Sequence, residues 1–544
     1  MNGISVKVPH LICFLATLIV LVACQQGSSL ARPQPLPQDP AIQVYFNHNL
    51  AQGADYSEPY RPITRPGDNL EEILIEGIQS AQATLDVAVQ ELRLPNLAQA
   101  IAERHQAGVK VRVILENEYS RPFSELTASE IDQLEGRERD RYEEFRALVD
   151  RNQDGFLSPQ EIQERDALIV LRKAGIPIID DTADGSQGTG LMHHKFVVID
   201  GTKLLVSSAN FTTSDIHGDF RRPQTRGNAN HLLKFSNPQL AHLFTEEFNL
   251  MWGDGPGGQF DSKFGINKPP RDPQQVNLGQ TTVTVHFSPT APTLPWETSS
   301  NGLIGSTLDR ATTSVNLMLF VLSEQRLADI LEKRSQQGVE IKAAIDPEFA
   351  FRSYSEGLDM LGVALSNNCH YEIGNHPWTH PIKTVGVPEF PEGDKLHHKV
   401  GIRDRSIVIS GSHNWSEAAN HNNDENLLVI QSPTVASHFT REFENIYSKA
   451  ALGLPKTIAQ KIQADQQKCP QSTAPSPPTN NPSLVNLNTA TQAELETLPG
   501  IGPALAQRII EAREQQPFTS LTDLSRVSGI GAGKQKKLEG KVTW

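Results

Sequence analysis

The chain has 544 residues, of which 38% are hydrophobic and 21% charged, and a formal net charge of −14 at pH 7. That length exceeds one ordinary hydrophobic core, so several domains are expected, and the composition is globular rather than fibrous or disordered. The acidic balance excludes wrapping of nucleic acid by a global basic field and leaves only a local basic groove.

Residues 1–24 carry Lys7, a short apolar run from Leu11 to Val22, and the ending Leu21, Val22, Ala23, Cys24. The run is too short for an ordinary spanning helix and has the layout of a secretory signal. Its end resembles a bacterial lipoprotein box, in which Cys24 is acylated and becomes the mature N-terminus. The expectation is an extracytoplasmic, membrane-anchored lipoprotein; a signal cut elsewhere and a short anchor are the alternatives. Cys369 and Cys469 remain unassigned, because two cysteines do not show whether they pair. Residues 25–40, rich in Pro, Gln and Ser, read as an exposed tether.

From Ile42 the pattern alternates. A strand over Ile42–Phe46 is followed by an amphipathic helix over Leu70–Ala81, a strand over Thr84–Val89, a helix over Leu94–Gln106 and a strand over Val109–Leu115. This is the β-α-β-α order of an α/β sandwich. Farther on, Asp150, Asn152, Asp154, Phe156, Ser158 and Glu161 stand at positions 1, 3, 5, 7, 9 and 12 of a loop with Gly155 at position 6. That is the spacing of an EF-hand calcium loop, with Phe156 giving its carbonyl and Glu161 both oxygens. An acidic solvated turn is the alternative, and calcium, if bound, is structural or regulatory.

Next comes His193, His194, Lys195, four apolar residues, Asp200, six residues, then Ser207, Ser208 and Asn210. Strand alternation places His193 and Lys195 on one face and His194 on the other. Asp200 and Gly201 form a favoured hairpin turn, which should return Ser207, Ser208 and Asn210 beside His193. An imidazole, an ammonium and neutral donors together suit a phosphate group. The same spacing recurs in His397, Lys399, Asp404, Gly411, Ser412 and Asn414. The β-α-β-α order recurs too, over Val283–Phe287, Leu303–Thr312, Val315–Phe320, Leu327–Gln337 and Val339–Ile345. Whole domains are therefore duplicated, and the extra residues of the first copy lie around the calcium-type loop and after Asn210. The second of these insertions carries Arg221, Arg222 and Arg226, either a phosphate-binding group or a solvated loop.

The doubled motif resembles the signature of the phospholipase D superfamily; Ser207 departs from the family's usual Gly, which Gly411 keeps. The resemblance implies two α/β/α sandwich halves sharing one cleft, catalysis by His193, Lys195, Asp200, Asn210, His397, Lys399, Asp404, Ser412 and Asn414, and no metal in the chemistry. One histidine attacks phosphorus and the other protonates the leaving alcohol. The resemblance also places an imidazole partner at Asn230 in the first copy and Glu425 in the second. Glu425 is expected beside His397, raising its pKa and making it the acid, while Asn230 leaves His193 neutral and nucleophilic.

The expected boundaries are a first half over 41–267 with its insertion at about 124–165, a linker over 268–280, a second half over 281–455 and a Pro-rich linker over 456–483. Residues 484–544 contain two Gly-Ile-Gly hairpins, Gly500 to Gly502 and Gly529 to Gly531, with Lys534, Lys536 and Lys537 beside the second. Such turns aim backbone N–H groups at a phosphate. Preceded by Val485 to Ala490, they resemble the helix-hairpin-helix domain of competence-type DNA receptors, with protein docking as the alternative. Three functions follow: a nuclease, a phospholipase D or phosphatidyl transferase, and a DNA-capturing surface lipoprotein without catalysis.

Overall fold

The computed structural model describes residue 3, residues 32–469 apart from 187–189 and 373, and residues 485–544 apart from 491, 493, 494, 496, 497, 499, 500, 528, 532, 533, 536, 537, 539 and 540. Cys24, Gly500, Lys536 and Lys537 lie outside the described residues.

The first half holds β1 (Ile42–Phe46), β2 (Thr84–Val89), β3 (Lys110–Leu115), β4 (Ile178–Asp180), β5 (Lys195–Ile199), β6 (Lys203–Ser207) and β7 (His231–Ser236). They form one sheet in the order β1-β7-β6-β5-β2-β3-β4, with β2, β3 and β4 parallel and the other pairings antiparallel. The second half holds β8 (Gln274–Leu278), β9 (Thr281–Ser288), β10 (Ser314–Leu319), β11 (Glu340–Ile345), β12 (Val385–Val387), β13 (Lys399–Arg403), β14 (Ile407–Gly411), β15 (Glu425–Gln431) and β16 (Ala451–Leu452). Its order, β8-β9-β15-β14-β13-β10-β11-β12-β16, repeats the first sheet strand for strand and adds one strand at each edge.

Both motif strands lie mid-sheet with both faces covered, so Phe196–Ile199 after Lys195 read as an apolar run, and every residue of β5 is buried. Each hairpin turns through two residues at positive φ, Asp200 and Gly201 in one copy and Asp404 and Arg405 in the other. A type I′ turn needs that backbone, so Arg405 takes up a conformation that Gly201 adopts without penalty.

The halves share one core. Helices Pro238–Trp252 and Pro433–Tyr447 bring Phe244, Phe248, Phe439 and Phe443 into a single cluster with strand residues of both sheets, and Phe46 meets Phe439 edge-on at 5.1 Å. Two further clusters, one per half, cover the opposite sheet faces. The α/β/α sandwich pair expected from the motifs is thus the observed architecture. The C-terminal region builds a core of its own from Leu487, Leu498, Ile501, Ile509, Phe518, Leu524, Val527, Ile530 and Leu538, closed by a short parallel pairing of Val485 with Val542.

Three boundaries differ from the sequence reading. Residues 32–40 are a packed strap, not a free tether: Arg32 pairs with Asp55, and Asp39 accepts the hydroxyls of Thr281 (2.7 Å) and Ser432 (3.0 Å) in the second half. Residues 274–278 of the expected linker form edge strand β8, because Val276 and Leu278 alternate inward and Gly279 turns the chain at positive φ. Residues 456–468 are a helix, fixed by a Cys369–Cys469 disulfide (Cα–Cα 5.5 Å), by Ser366 donating to Asp465, and by Ile462 against Leu358 and Leu365.

Lys268 is only 6% exposed and holds Glu247 and Asp424, each at 2.5 Å, across the boundary between the halves. Removing one member of a buried ion cluster leaves the others uncompensated. Lys268→Met should therefore cost about 3–5 kcal/mol of stability. Lys333→Met, which breaks an exposed pair with Asp309, should cost at most about 1 kcal/mol. Denaturant melts of both variants check this.

Candidate active site

His193 and His397 stand two residues before the start of β5 and β13, and each chain segment is held by the opposite half. Met192 bridges Asp424 and Leu396 bridges Ala229; the His193 N–H donates to the Asp424 carbonyl (3.0 Å) and the His397 N–H to the Ala229 carbonyl (3.1 Å). This backbone lacing decides which side chains meet. Glu425, one residue beyond Asp424, accepts from His193 Nδ1 at 2.7 Å, and Asn230, one beyond Ala229, accepts from His397 Nδ1 at 3.0 Å.

The expected pairing of Glu425 with His397 is therefore wrong. Partners are exchanged between the copies, because the residue before each partner, Asp424 or Ala229, bridges to the other half's motif.

The tautomers follow. A carboxylate only accepts, so His193 carries its proton on Nδ1. The Asn230 amide donates to the carbonyls of Asp215 (3.0 Å) and Asn228 (3.1 Å), so its oxygen is the acceptor and His397 is also protonated on Nδ1. Both Nε2 atoms are left for a substrate. Burial first, then the ammonium groups of Lys195 and Lys399, push both imidazoles well below the usual histidine range.

Lys195 and Lys399 donate to the carbonyls of their own histidines, at 2.9 and 2.7 Å. Lys195 also reaches Gln90 (3.2 Å), whereas Lys399 lies over the ring of Phe320, 5.0 Å from its centroid. Burial lowers Lys195 to about 8; burial and the neighbouring Lys195 drive Lys399 well below its ordinary value. Two crowded, buried ammonium groups are relieved by an anion between them, which suits a phosphodiester.

The remaining motif residues divide. Ser208 donates to Asn230 (2.8 Å), and the Ser412 oxygen accepts the Asn426 N–H (3.0 Å), so both serines support the imidazole partners. Asn210 and Asn414 each keep a buried Oδ1 without a hydrogen-bond partner among the described residues. Asp200 and Asp404 do not meet the histidines. Asp200 accepts the N–H groups of Gln82, Ala83 and Thr84, and Asp404 those of Thr312, Thr313 and Ser314, at the far ends of the motif strands. Both buttress the hairpin turn. Arg221 pairs with Asp140, Arg222 with Asp219, and the Arg226 N–H with Asp394, so these arginines, open between phosphate binding and a solvated loop, staple loops together.

Sequence reasoning missed two features. His194, on the opposite face as expected, enters a buried layer with Glu247 (3.0 Å) and Asn426 (3.2 Å), mirrored by His398 with His231 (3.0 Å). The other is Asp215, 5% exposed, whose Oδ1 lies 3.9 Å from His397 Nδ1. An acidic residue five positions after Asn210, where the second copy has Ala419, was the available signal.

The calcium-type loop joins helix Gly136–Val149 to helix Pro159–Arg165. Asp150 Oδ2 accepts the Gly155 N–H (2.9 Å) while its buried Oδ1 has no partner. Asp154 accepts the Phe156 N–H (2.8 Å), and Glu161 turns inward to accept from Arg151 (2.9 Å) and from the Ser158 hydroxyl (2.7 Å). No group of three or more His, Cys, Asp or Glu able to hold a metal is gathered among the described residues. The oxygen donor set fits calcium, with the carboxylates turned onto the loop's own N–H groups.

In the C-terminal region a Cβ at Gly502 or Gly531 would meet nothing within 4 Å. Gly502 caps helix Pro503–Gln515, Gly529 has positive φ, and the Lys534 N–H donates to the Gly531 carbonyl.

A duplicated α/β protein with two histidine–lysine pairs, whose imidazole partners are exchanged between the copies, is the class defined by this site. Residues 74–252 and 304–447 match the family described as cardiolipin synthase, PLD-like domain, and the chain belongs to that family, within the phospholipase D superfamily. Residues 480–543 match the helix-hairpin-helix motif. The chain is 26% identical over 184 residues to mouse mitochondrial cardiolipin hydrolase, covering 32% of this chain and 73% of that protein. Against other cardiolipin hydrolases it spans 49–60% of their length. Its C-terminal part is 42% identical over 62 residues to ComE operon protein 1 of Bacillus subtilis, covering 11% of this chain and 30% of that one. The solved phospholipase D family member Nuc from Salmonella typhimurium has 23% identity and a TM-score of 0.25, covering 32% of this chain and all of Nuc.

His193→Ala and His397→Ala should each reduce phosphodiester turnover below a tenth of wild type, because the crossed contacts make one centre from both copies. Steady-state assays of the two single variants check this.

Proposed function

We propose that the protein hydrolyses phosphodiesters through a phosphohistidine, with nucleic-acid backbone as the substrate. The crossed site carries this reading: each half supplies a lysine, a histidine and the partner of the other half's histidine. His193 Nε2 attacks phosphorus, and the bond to the leaving oxygen breaks as His397, which takes up a second proton on Nε2 when the anionic substrate binds, donates that Nε2 proton there. His397 then takes a proton from water, whose oxygen displaces His193. Glu425 fixes the His193 tautomer and stabilises the positive charge that the phosphorylated ring acquires, as a carboxylate does behind a catalytic imidazole. The nucleophile is thus the histidine expected from sequence, but for the opposite reason: its carboxylate favours attack. Trapped phosphate on His193, found by mass spectrometry of the quenched protein, is the expected outcome.

Nucleic acid is favoured by the C-terminal domain. Glycines 502 and 531 have open space beside them, which leaves room for a phosphate to approach the backbone closely. A tethered phosphate-binding module raises local substrate concentration to about millimolar. Contacts of this kind carry no sequence information and weaken with salt. A phospholipid substrate is the second reading, supported by the cardiolipin hydrolases the chain is similar to. Deletion of residues 485–544 should raise KM for long DNA severalfold and leave bis-p-nitrophenyl phosphate unaffected. Parallel assays with DNA, RNA and phosphatidyl substrates decide between the readings, and turnover of phosphatidyl substrates alone overturns the nuclease.

We further propose that Asp150, Asn152, Asp154, Phe156, Ser158 and Glu161 hold one calcium ion, which stabilises the loop and takes no part in the chemistry. The sequence of residues 1–24 supports a further proposal, that the protein lies outside the cytoplasm on a lipid anchor at Cys24. Calcium at a hundredfold excess over its dissociation constant should raise the melting temperature by roughly 3 °C. Glu161→Gln should abolish that rise, and calorimetry without binding at millimolar calcium would remove the site.

A further inference from the structure

The two copies treat their histidines unequally. His193 has a carboxylate on Nδ1, whereas His397 has the neutral amide of Asn230. Around His397 stand Lys399 and Lys395 on its own segment, Lys195 and His193 from the opposite half, and the edge of the Phe320 ring, 4.9 Å between centroids. Every charged group in that set is basic. The acidic side chain facing this imidazole is Asp215, from the turn after the first motif, with Oδ1 3.9 Å from Nδ1.

Asp215 is held there. Its Oδ2 accepts the Asn210 N–H at 2.7 Å and its Oδ1 the Asn228 amide at 2.5 Å, and the Asn230 amide donates to its backbone carbonyl at 3.0 Å. One short segment therefore joins Asn210, Asn228, Asn230 and His397. The equivalent position in the second copy is Ala419, where Glu425 makes a second carboxylate unnecessary.

We propose that Asp215 is a positioning residue that replaces the carboxylate missing at Asn230, supplying the negative charge that lets His397 carry its proton to the leaving oxygen. This rests on the reading of His397 as the acid. The carboxylate favours the imidazolium, so removing it lowers the pKa of His397 and moves the loss of the acid to lower pH. A surplus of burial and ammonium charge opposes protonation, and a bound phosphodiester anion works with Asp215 against it.

Two measurements on the full chain separate this role from a scaffolding one. The first is the titration of the His397 ring by NMR, with 13C-labelled histidine and saturating sulfate as a non-titrating stand-in for the substrate anion. The second is the pH profile of kcat. In Asp215→Asn, the His397 titration and the high-pH limb of kcat should both move down by about 1–3 pH units. The rate above that limb should fall about tenfold for each unit. Asn230→Asp, alone or added to Asp215→Asn, should move both back up, which a purely structural role does not predict. Thermal melts accompany each variant, and the single Asn230→Asp variant serves where Asp215→Asn does not fold. If His397 titrates identically in wild type and both variants, the proposal is overturned. If its titration moves while the kcat profile stays fixed, the charge coupling stands and the assignment of His397 as the acid falls.

Discussion

The site depends on the backbone lacing between Met192 and Asp424 and between Ala229 and Leu396. These bridges carry no chemistry, yet they fix which imidazole receives which partner. Each half alone has a histidine without its partner and a partner without its histidine. Duplication of a half-site thus becomes one centre in which the copies can diverge: Glu425 against Asn230, Phe320 against Gln90, Asp215 against Ala419. Divergence of this kind suits a two-step reaction, because attack and protonation make different demands on the two imidazoles.

Beneath the catalytic pair lies a second polar layer that is buried and also shared between halves. His194 with Glu247, Lys268 and Asp424 on one side, and His398 with His231 on the other, occupy the face of the motif strands opposite the substrate. Buried charges are tolerated only when paired, and breaking one pair costs more than forming it gains. The layer therefore penalises any slippage of one half against the other, which is the error that would uncouple the crossed contacts above it.

Much of this was legible in the sequence because its signals are local. Spacing of His, Lys, Asp and Asn on a strand, a turn at Asp200 and Gly201, and strand alternation for His193 against His194 depend only on neighbours in the chain. The partner exchange was not legible, since residues 230 and 425 are equally placed in their own copies and only the packing of halves says which imidazole each meets. Asp200 and Asp404 read as catalytic through their place in the motif, whereas they accept three successive N–H groups at a turn. Lys268 looked like linker because burial of a lone lysine shows only when Glu247 and Asp424 arrive from elsewhere. Cys369 and Cys469, 100 residues apart, pair through a fold that brings their Cα atoms to 5.5 Å.

The residues that the first copy has gained are not peripheral. Helix Gly136–Val149 sends Arg141 to Glu91, next to the Gln90 that binds Lys195, and lays the same guanidinium over Tyr119. Glu144 on that helix accepts the N–H groups of Phe220 and Arg221 in the second insertion, while Arg221 returns to Asp140. Both insertions therefore form one wall beside the first motif, and the wall ends at Asp150, where the calcium-type loop begins. This helix carries four arginines and four acidic residues over Gly136–Val149 and buries Tyr142, Phe145, Leu148 and Val149 along one side. Its position rests on an apolar cluster of Tyr142, Phe145 and Val149 with Phe123 and Leu157, and on the ion pair of Arg141 with Glu91. Leu157 of the loop joins that cluster, so residues 150–161 pack against the helix whose Arg141 meets Glu91, the neighbour of the Gln90 that binds Lys195.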